Sequence, residues 1–238
     1  MSDTLPVETI PPGTNLLVAG PPMSGKEQIA MDILERGCER GEGALVVTCR
    51  DSANRLLSRS PPLADAVSER RAGIVDCVTR QRGEDVRETE SIRYVASPSD
   101  VTDIGIRLTG LLQSLSGRSL PGVRSSLVSI PTLLMYADTR RVFRFLHVLN
   151  GRIQSQNYLG LGLVELSDRD TFDKFAPLYD GMVQIREEGG RRELRVVGLG
   201  DGPSEWSEYW SSKCSSATSA TASSSNSSSR RPWSGSST

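Results

Sequence analysis

Lysine is nearly missing from this chain. It occurs only at Lys26, Lys174 and Lys213, and every other basic side chain is arginine. A GC-rich genome or a saline habitat produces such a bias, so it says little about function. Histidine occurs once, as His147; within an apolar helical stretch it reads as a core or half-buried residue, and no Ser-His-Asp arrangement can be built around it. Cys38, Cys49, Cys77 and Cys214 show no C-x-x-C spacing, which points away from zinc and from a disulfide framework. No apolar run approaches the roughly 20 residues that cross a bilayer. Residues 1–12 are polar and proline-broken, unlike a signal peptide. Together these absences predict a cytoplasmic protein with reduced thiols and no membrane partner. The net charge is −1 and no basic run is interleaved with aromatics, so nucleic acid is not an expected partner either.

Aromatic residues make up 5% of the 238 positions, a low share that a polar tail helps to explain. From residue 211 to 238 serine dominates without apolar periodicity, the composition of a disordered tail. The expected organisation is therefore an N-terminal extension over residues 1–13, one α/β domain over 14–210 and a Ser-rich tail over 211–238. Within the domain, apolar runs at 16–19, 43–49, 74–78, 92–96, 125–130 and 159–166 read as strands. Helical spacing follows at 28–34 with a stop at Gly37, at 52–59 broken by Pro61-Pro62, after Asp100, and after Asp138. The segment 80–90 is charged and reads as a solvated loop, and 181–186 with 193–197 read as a hairpin around Gly189-Gly190. Strands alternating with helices imply an α/β fold, a mostly parallel sheet covered on both faces, with the antiparallel hairpin extending one edge.

What the chain does have is Gly20-Pro21-Pro22-Met23-Ser24-Gly25-Lys26-Glu27. It fits the G-x-x-x-x-G-K part of a phosphate loop, with a buried strand before it and an amphipathic helix after it. Such a loop works because successive backbone N–H groups and a helix N-terminus converge on the anion, while the lysine reaches its outer oxygens. All eight residues are therefore candidate nucleotide ligands, for ATP or a related nucleotide. Glu27 stands where a Ser or Thr hydroxyl would hold Mg²⁺, so the metal is left open. A carboxylate about 5 Å from a phosphate costs roughly 3 kcal/mol at an effective dielectric near 20. A first-turn acid gains only about 0.3–1 kcal/mol from the helix dipole.

The order strand, loop, helix, strand, together with Pro131-Thr-Leu-Leu-Met-Tyr136 and Val142-Phe-Arg-Phe-Leu-His-Val-Leu149, resembles the RecA/KaiC-like P-loop ATPases. It is most similar to uncharacterised members from halophilic archaea, described as RecA-superfamily ATPases implicated in signal transduction. The resemblance implies a RecA-like fold and a metal-binding acid at the end of the strand before Thr132. That strand contains none, and Val128 or Ser129 stands at the position. It also implies a catalytic acid after the second strand, where this chain offers Asp51. Phosphoryl transfer needs metal, positioning and charge neutralisation together, so slow hydrolysis or none is expected.

Three readings follow: a nucleotide-binding regulatory or signal-transduction protein with degenerate motifs, an active Mg²⁺-dependent ATPase, and a scaffold that keeps the fold for partner binding. A homo-oligomer or a signalling protein is the partner such a domain implies. Arg140, Arg141 and Arg144 read as a solvated helix face, with an arginine finger as the sharper alternative. Asp168 reads as a helix cap ahead of a metal ligand, and Arg191-Arg192 as exposed turn residues. Trp206 and Trp210 read as docking the domain end.

Overall fold

The computed structural model describes residues 10–199 and 205–209, with the backbone alone for 127–129. The Ser-rich tail, Trp210 and residues 1–9 of the expected extension lie outside the described residues. Seven strands run parallel: β1 Asn15–Gly20, β2 Gly43–Thr48, β3 Ala72–Asp76, β4 Ile92–Tyr94, β5 Val123–Ser129, β6 Leu159–Glu165 and β7 Gly181–Glu188. β8 Arg191–Val197 and β9 Ser207–Glu208 continue the sheet antiparallel, giving the order β4-β3-β2-β5-β6-β1-β7-β8-β9. The expected α/β architecture, with its hairpin at one edge, is what the chain adopts.

Every residue of β1 and β2 is buried, as parallel strands covered on both faces require. Alternation along β1 then splits the core. Leu17 and Ala19 face one side, against α4 Val101–Ser116, α6 Thr139–Ser155 and α7 Arg169–Phe175. Leu16 and Val18 face the other, against Ile29 and Ile33 of α1 Lys26–Glu39. Leu34 of α1 and Leu63 of α3 Pro61–Ser68 cover the β2–β3 half of that second face.

Several local expectations shift. Gly37 does not stop α1, which continues to Glu39; the glycine instead lets Arg124 pass, since a Cβ there would meet its Cδ at 2.7 Å. Pro61-Pro62 ends α2 Ala53–Arg59 and starts α3, because proline suits the first helical turn. A short helix, α5 Ile130–Leu134, follows β5 directly. The charged 80–90 segment is pinned: Glu88 ion-pairs with Arg80 at 3.4 Å, Arg93 at 3.8 Å and also Arg107. His147 is exposed and stacks on Phe143 with centroids 6.5 Å apart, so it is not a core residue. Trp206 does dock the domain end, held between the guanidinium groups of Arg186 and Arg195.

β1 and β2 are consecutive in sequence but separated in the sheet by β5 and β6. The loop after β1 therefore opens over a crevice at the carboxyl ends of the strands, where open α/β sheets take ligands.

Candidate functional site

Loop 20–26 leaves the buried end of β1 and turns sharply into α1. Met23 takes φ 59° and is 96% exposed, and Gly25 takes φ 82° and ψ 20° as the residue before the helix. α1 has no side-chain cap, unlike α4, α6 and α7, whose first turns bond to Asp100, Asp138 and Asp168. Its leading N–H groups are consequently left to water or a ligand. Asp168 is thus the helix cap its sequence position predicts, accepting from Thr171 N at 3.1 Å.

Inside the loop the Ser24 hydroxyl is buried and has no hydrogen-bond partner; a Cβ on Gly20 would lie 2.6 Å from it. Lys26 folds back, its Nζ donating to Gly20 O at 3.2 Å and Pro21 O at 2.6 Å. Burial lowers the lysine's pKa from its usual value, against the opposing pull of Glu165 and Glu27. Glu165 ends β6 beside Gly20 and stands 4.0 Å from Lys26 Nζ. Nothing in the sequence singled it out. The signal that finds it is an acid at the last position of a buried strand hydrogen-bonded to β1.

Glu27 turns out of the loop. Both its oxygens accept from Arg50 Nη1, at 2.8 and 2.6 Å, in an exposed pair just beyond β2. The repulsion expected from a carboxylate beside a phosphate is thereby moved away from the loop. Asp51, the acid after the second strand, pairs with Arg55 Nε at 3.3 Å and Arg59 Nη1 at 3.8 Å. Side chains 127–129, which include the Val128 and Ser129 positions, lie outside the described residues; the β5–β6 register slips between Ser126 and Ser129. Among the described residues no three metal-ligating groups come together. The donors described therefore do not fit the Mg²⁺ that a phosphate loop normally uses: Glu27 is paired outward with Arg50, Asp51 is paired with Arg55 and Arg59, and Glu165 stands beside Lys26 outside any cluster of three ligands.

A cleft of about 760 Å³ runs from the loop past β2 to α2, lined by Lys26, Thr48, Arg50, Asp51, Thr132 and Glu165 among others. A larger cavity of about 980 Å³ opens at the opposite, amino ends of the central strands, beside Glu42 and Arg124. These two ionic groups already satisfy each other there, so the chemistry concentrates at the loop. Arg140, Arg141 and Arg144 are exposed, as a solvated helix face should be.

The hairpin adds a group that the sequence reading set aside. Arg191 is exposed, but Arg192 is half-buried and reaches back over β7 to the loop. A Cβ on Gly25 would meet the Arg192 guanidinium at 2.7 Å. Behind it, Tyr209 donates to Asp32 of α1 through its hydroxyl and to Arg192 O through its N–H, the latter at 2.8 Å, tying the edge of the sheet to the helix.

Residues 13–185 match the family of unknown function DUF7504. The chain belongs to that family. No curated protein matches the sequence. Among solved structures, a KaiC-like protein from the hyperthermophilic archaeon Pyrococcus horikoshii OT3 superposes with a TM-score of 0.58 at 15% identity, covering 84% of this chain and 85% of that one. This DUF7504 chain accordingly has a KaiC-like fold, an architecture compatible with nucleotide binding. No helix among its described residues is long and apolar enough to cross a membrane.

Proposed function

We propose that this protein binds ATP or a related nucleotide through residues 20–26 and acts as a regulatory or signal-transduction component in the cytoplasm, with weak hydrolysis or none. One observation carries the reading: α1 begins at an uncapped glycine turn that encloses a buried hydroxyl, Ser24, without a partner. An unsatisfied buried polar group costs about 1–3 kcal/mol. An anion seated on the α1 N-terminus would satisfy the hydroxyl and the leading N–H groups together.

Hydrolysis is a separate matter. Catalysis of phosphoryl transfer rests on positioned charge, and two of the acids near the loop are diverted, Glu27 to Arg50 and Asp51 to Arg55 and Arg59, which leaves Glu165 beside Lys26. An Asp51 acting as catalytic acid would have to leave both arginines. A protein of this kind signals by conformation or assembly, with a second copy or a signalling protein as the partner class. The test is equilibrium binding of ATP and ADP to the full chain and to Lys26→Ala. The parent should bind and the variant should lose at least about tenfold, the scale of one charge-assisted hydrogen bond. Equal affinity for both proteins would sink the reading. Phosphate release by the parent well above that of Lys26→Ala would instead favour an active ATPase.

A further inference from the structure

Arg192 sits in an arrangement that is unfavourable as it stands. Its guanidinium rests on Gly25, the residue that opens α1. The N-terminus of a helix carries partial positive charge, so a cation there is repelled by the dipole and by the leading N–H groups. Among the described residues no carboxylate lies within ion-pair distance to offset this. Asp32, on the same helix, is occupied by Gln28 and Tyr209. An arginine cannot shed its charge at any ordinary pH. An anion between the guanidinium and the helix would offset both charges.

The loop supplies an independent pointer to the same place. The Ser24 hydroxyl, 3% exposed and without a partner, lies within the turn that Gly25 closes. Lys26 spends two of its three donors on the loop's own carbonyls, which leaves one for a ligand. An oxyanion arriving at the α1 N-terminus therefore meets Lys26, Ser24 and Arg192 from different directions. A divalent cation would ordinarily neutralise a second phosphate, yet Glu27 replaces the hydroxyl that would hold one, and Glu27 and Asp51 are both turned to arginines. Arg192 is a fixed positive charge at the same loop, and its planar fork matches phosphate oxygens in pairs.

We infer that Arg192 is a phosphate-binding residue acting within its own chain, which makes this site selective for di- and triphosphates and lets it bind them without a divalent metal. The inference rests on the nucleotide reading above and deepens it. Ligand binding draws the guanidinium from Gly25 onto the phosphates, so occupancy is also felt by the β7–β8 hairpin and by Tyr209, which bonds to the Arg192 backbone.

The experiment measures binding of ATP, ADP and AMP to the full chain, in EDTA and in Mg²⁺. Parent, Arg192→Met, Arg192→Lys and Lys26→Ala are compared, each checked for folding by circular dichroism. The parent should bind ATP and ADP with affinities that agree within about threefold between EDTA and Mg²⁺. Arg192→Met should lose at least about tenfold for ATP and ADP in EDTA and much less for AMP, one charge-assisted contact being worth that much. Arg192→Lys should fall between, keeping the charge without the fork. Folded Arg192→Met that binds ATP like the parent, while Lys26→Ala does not, overturns the inference and leaves the nucleotide reading standing. A parent that binds only with Mg²⁺ overturns it equally. A parent that binds no nucleotide removes the nucleotide reading, and the inference with it.

Discussion

Two arginines lie against the two ends of α1, and they could hardly be more differently placed. Near its C-terminus, Arg124 is 7% exposed and passes over Gly37. It grips Glu42 with two bonds, Nε to Oε2 at 2.6 Å and Nη2 to Oε1 at 2.7 Å, and donates to Ile33 O at 2.9 Å. A cation belongs at that end of a helix, and Arg124 and Glu42 are each other's counterpart there. At the N-terminus Arg192 lies over Gly25 with neither advantage. The first is a finished structural joint. The second is a joint waiting for its anion. The same kind of side chain, set against the same helix from two different strands, is cement at one end and receptor at the other.

The largest expected effect comes from breaking the finished joint. Arg124→Met leaves Glu42 partly buried and unpaired and removes the side-chain donor that Ile33 O accepts beside its helical bond. Loss of one partner from a buried pair costs 3–5 kcal/mol, and the remaining solvent contact of Glu42 puts this site at about 3 kcal/mol. Arg192→Met in the absence of nucleotide should change stability by no more than about 0.5 kcal/mol, and in the direction of gain, since it removes a cation from a helix N-terminus. Urea unfolding of the two variants checks both. An Arg192→Met loss as large as that of Arg124→Met would mean that Arg192 already has a structural partner.

A smaller effect separates the glycines. Gly25 and Gly41 both have positive φ, 82° and 80°, but a Cβ on Gly41 meets nothing within 4 Å. Alanine at either site should cost about 1–2 kcal/mol for the left-handed backbone. Only Gly25→Ala pushes into the Arg192 guanidinium, so only it should also weaken ATP binding, by more than tenfold. Thermal unfolding paired with nucleotide titration separates the shared strain from the specific loss.

That contrast also marks what the sequence could disclose. The strand before the loop, the glycines and the hairpin are local matters: apolar runs, turn residues and caps such as Asp100 and Asp138 announce themselves over a few positions. Glu165 and Arg192 are brought to the loop by pairing across the sheet, β6 on one side of β1 and β8 beyond β7 on the other. Nothing within a dozen residues of either distinguishes it from a strand-end acid or a turn arginine. The helix α3 has no mark of its own in the sequence for a related reason, because the proline pair that ends α2 also starts α3.

Lysine titration gives the next, milder contrast. Burial holds the Lys26 pKa below its usual 10.5, so the free protein disfavours the charged form and gains stability as pH rises from that lowered value toward 10.5. A bound phosphate favours the charged form, so binding takes up a proton and affinity falls as pH rises through the lowered value. ATP affinity followed from pH 7 upward should therefore weaken ahead of the ordinary lysine range in the parent. It should stay level in Lys26→Arg, whose guanidinium does not titrate. A parent curve as level as that of the variant would mean that Lys26 is not at the phosphate.

The smallest effect on stability belongs to Glu27 and Arg50. Their side chains are 54% and 71% exposed, and an exposed pair contributes about 0–1 kcal/mol, so Glu27→Thr should leave the unfolding midpoint nearly unchanged. Its value lies in binding. The substitution places a hydroxyl at the position next to Lys26 where a phosphate loop normally presents its metal ligand, and it frees Arg50. With Glu165 the one carboxylate that stands 4.0 Å from Lys26 among the described residues once Glu27 is replaced, one hydroxyl gives Mg²⁺ a foothold without a full ligand set. ATP affinity should then be about tenfold higher in Mg²⁺ than in EDTA, beyond the roughly threefold agreement expected of the parent. Arg192→Met added to Glu27→Thr should widen that gap, because the two cations, one fixed and one borrowed, neutralise the same phosphates. If the double variant is as indifferent to Mg²⁺ as the parent, the guanidinium and the metal are not interchangeable at this loop.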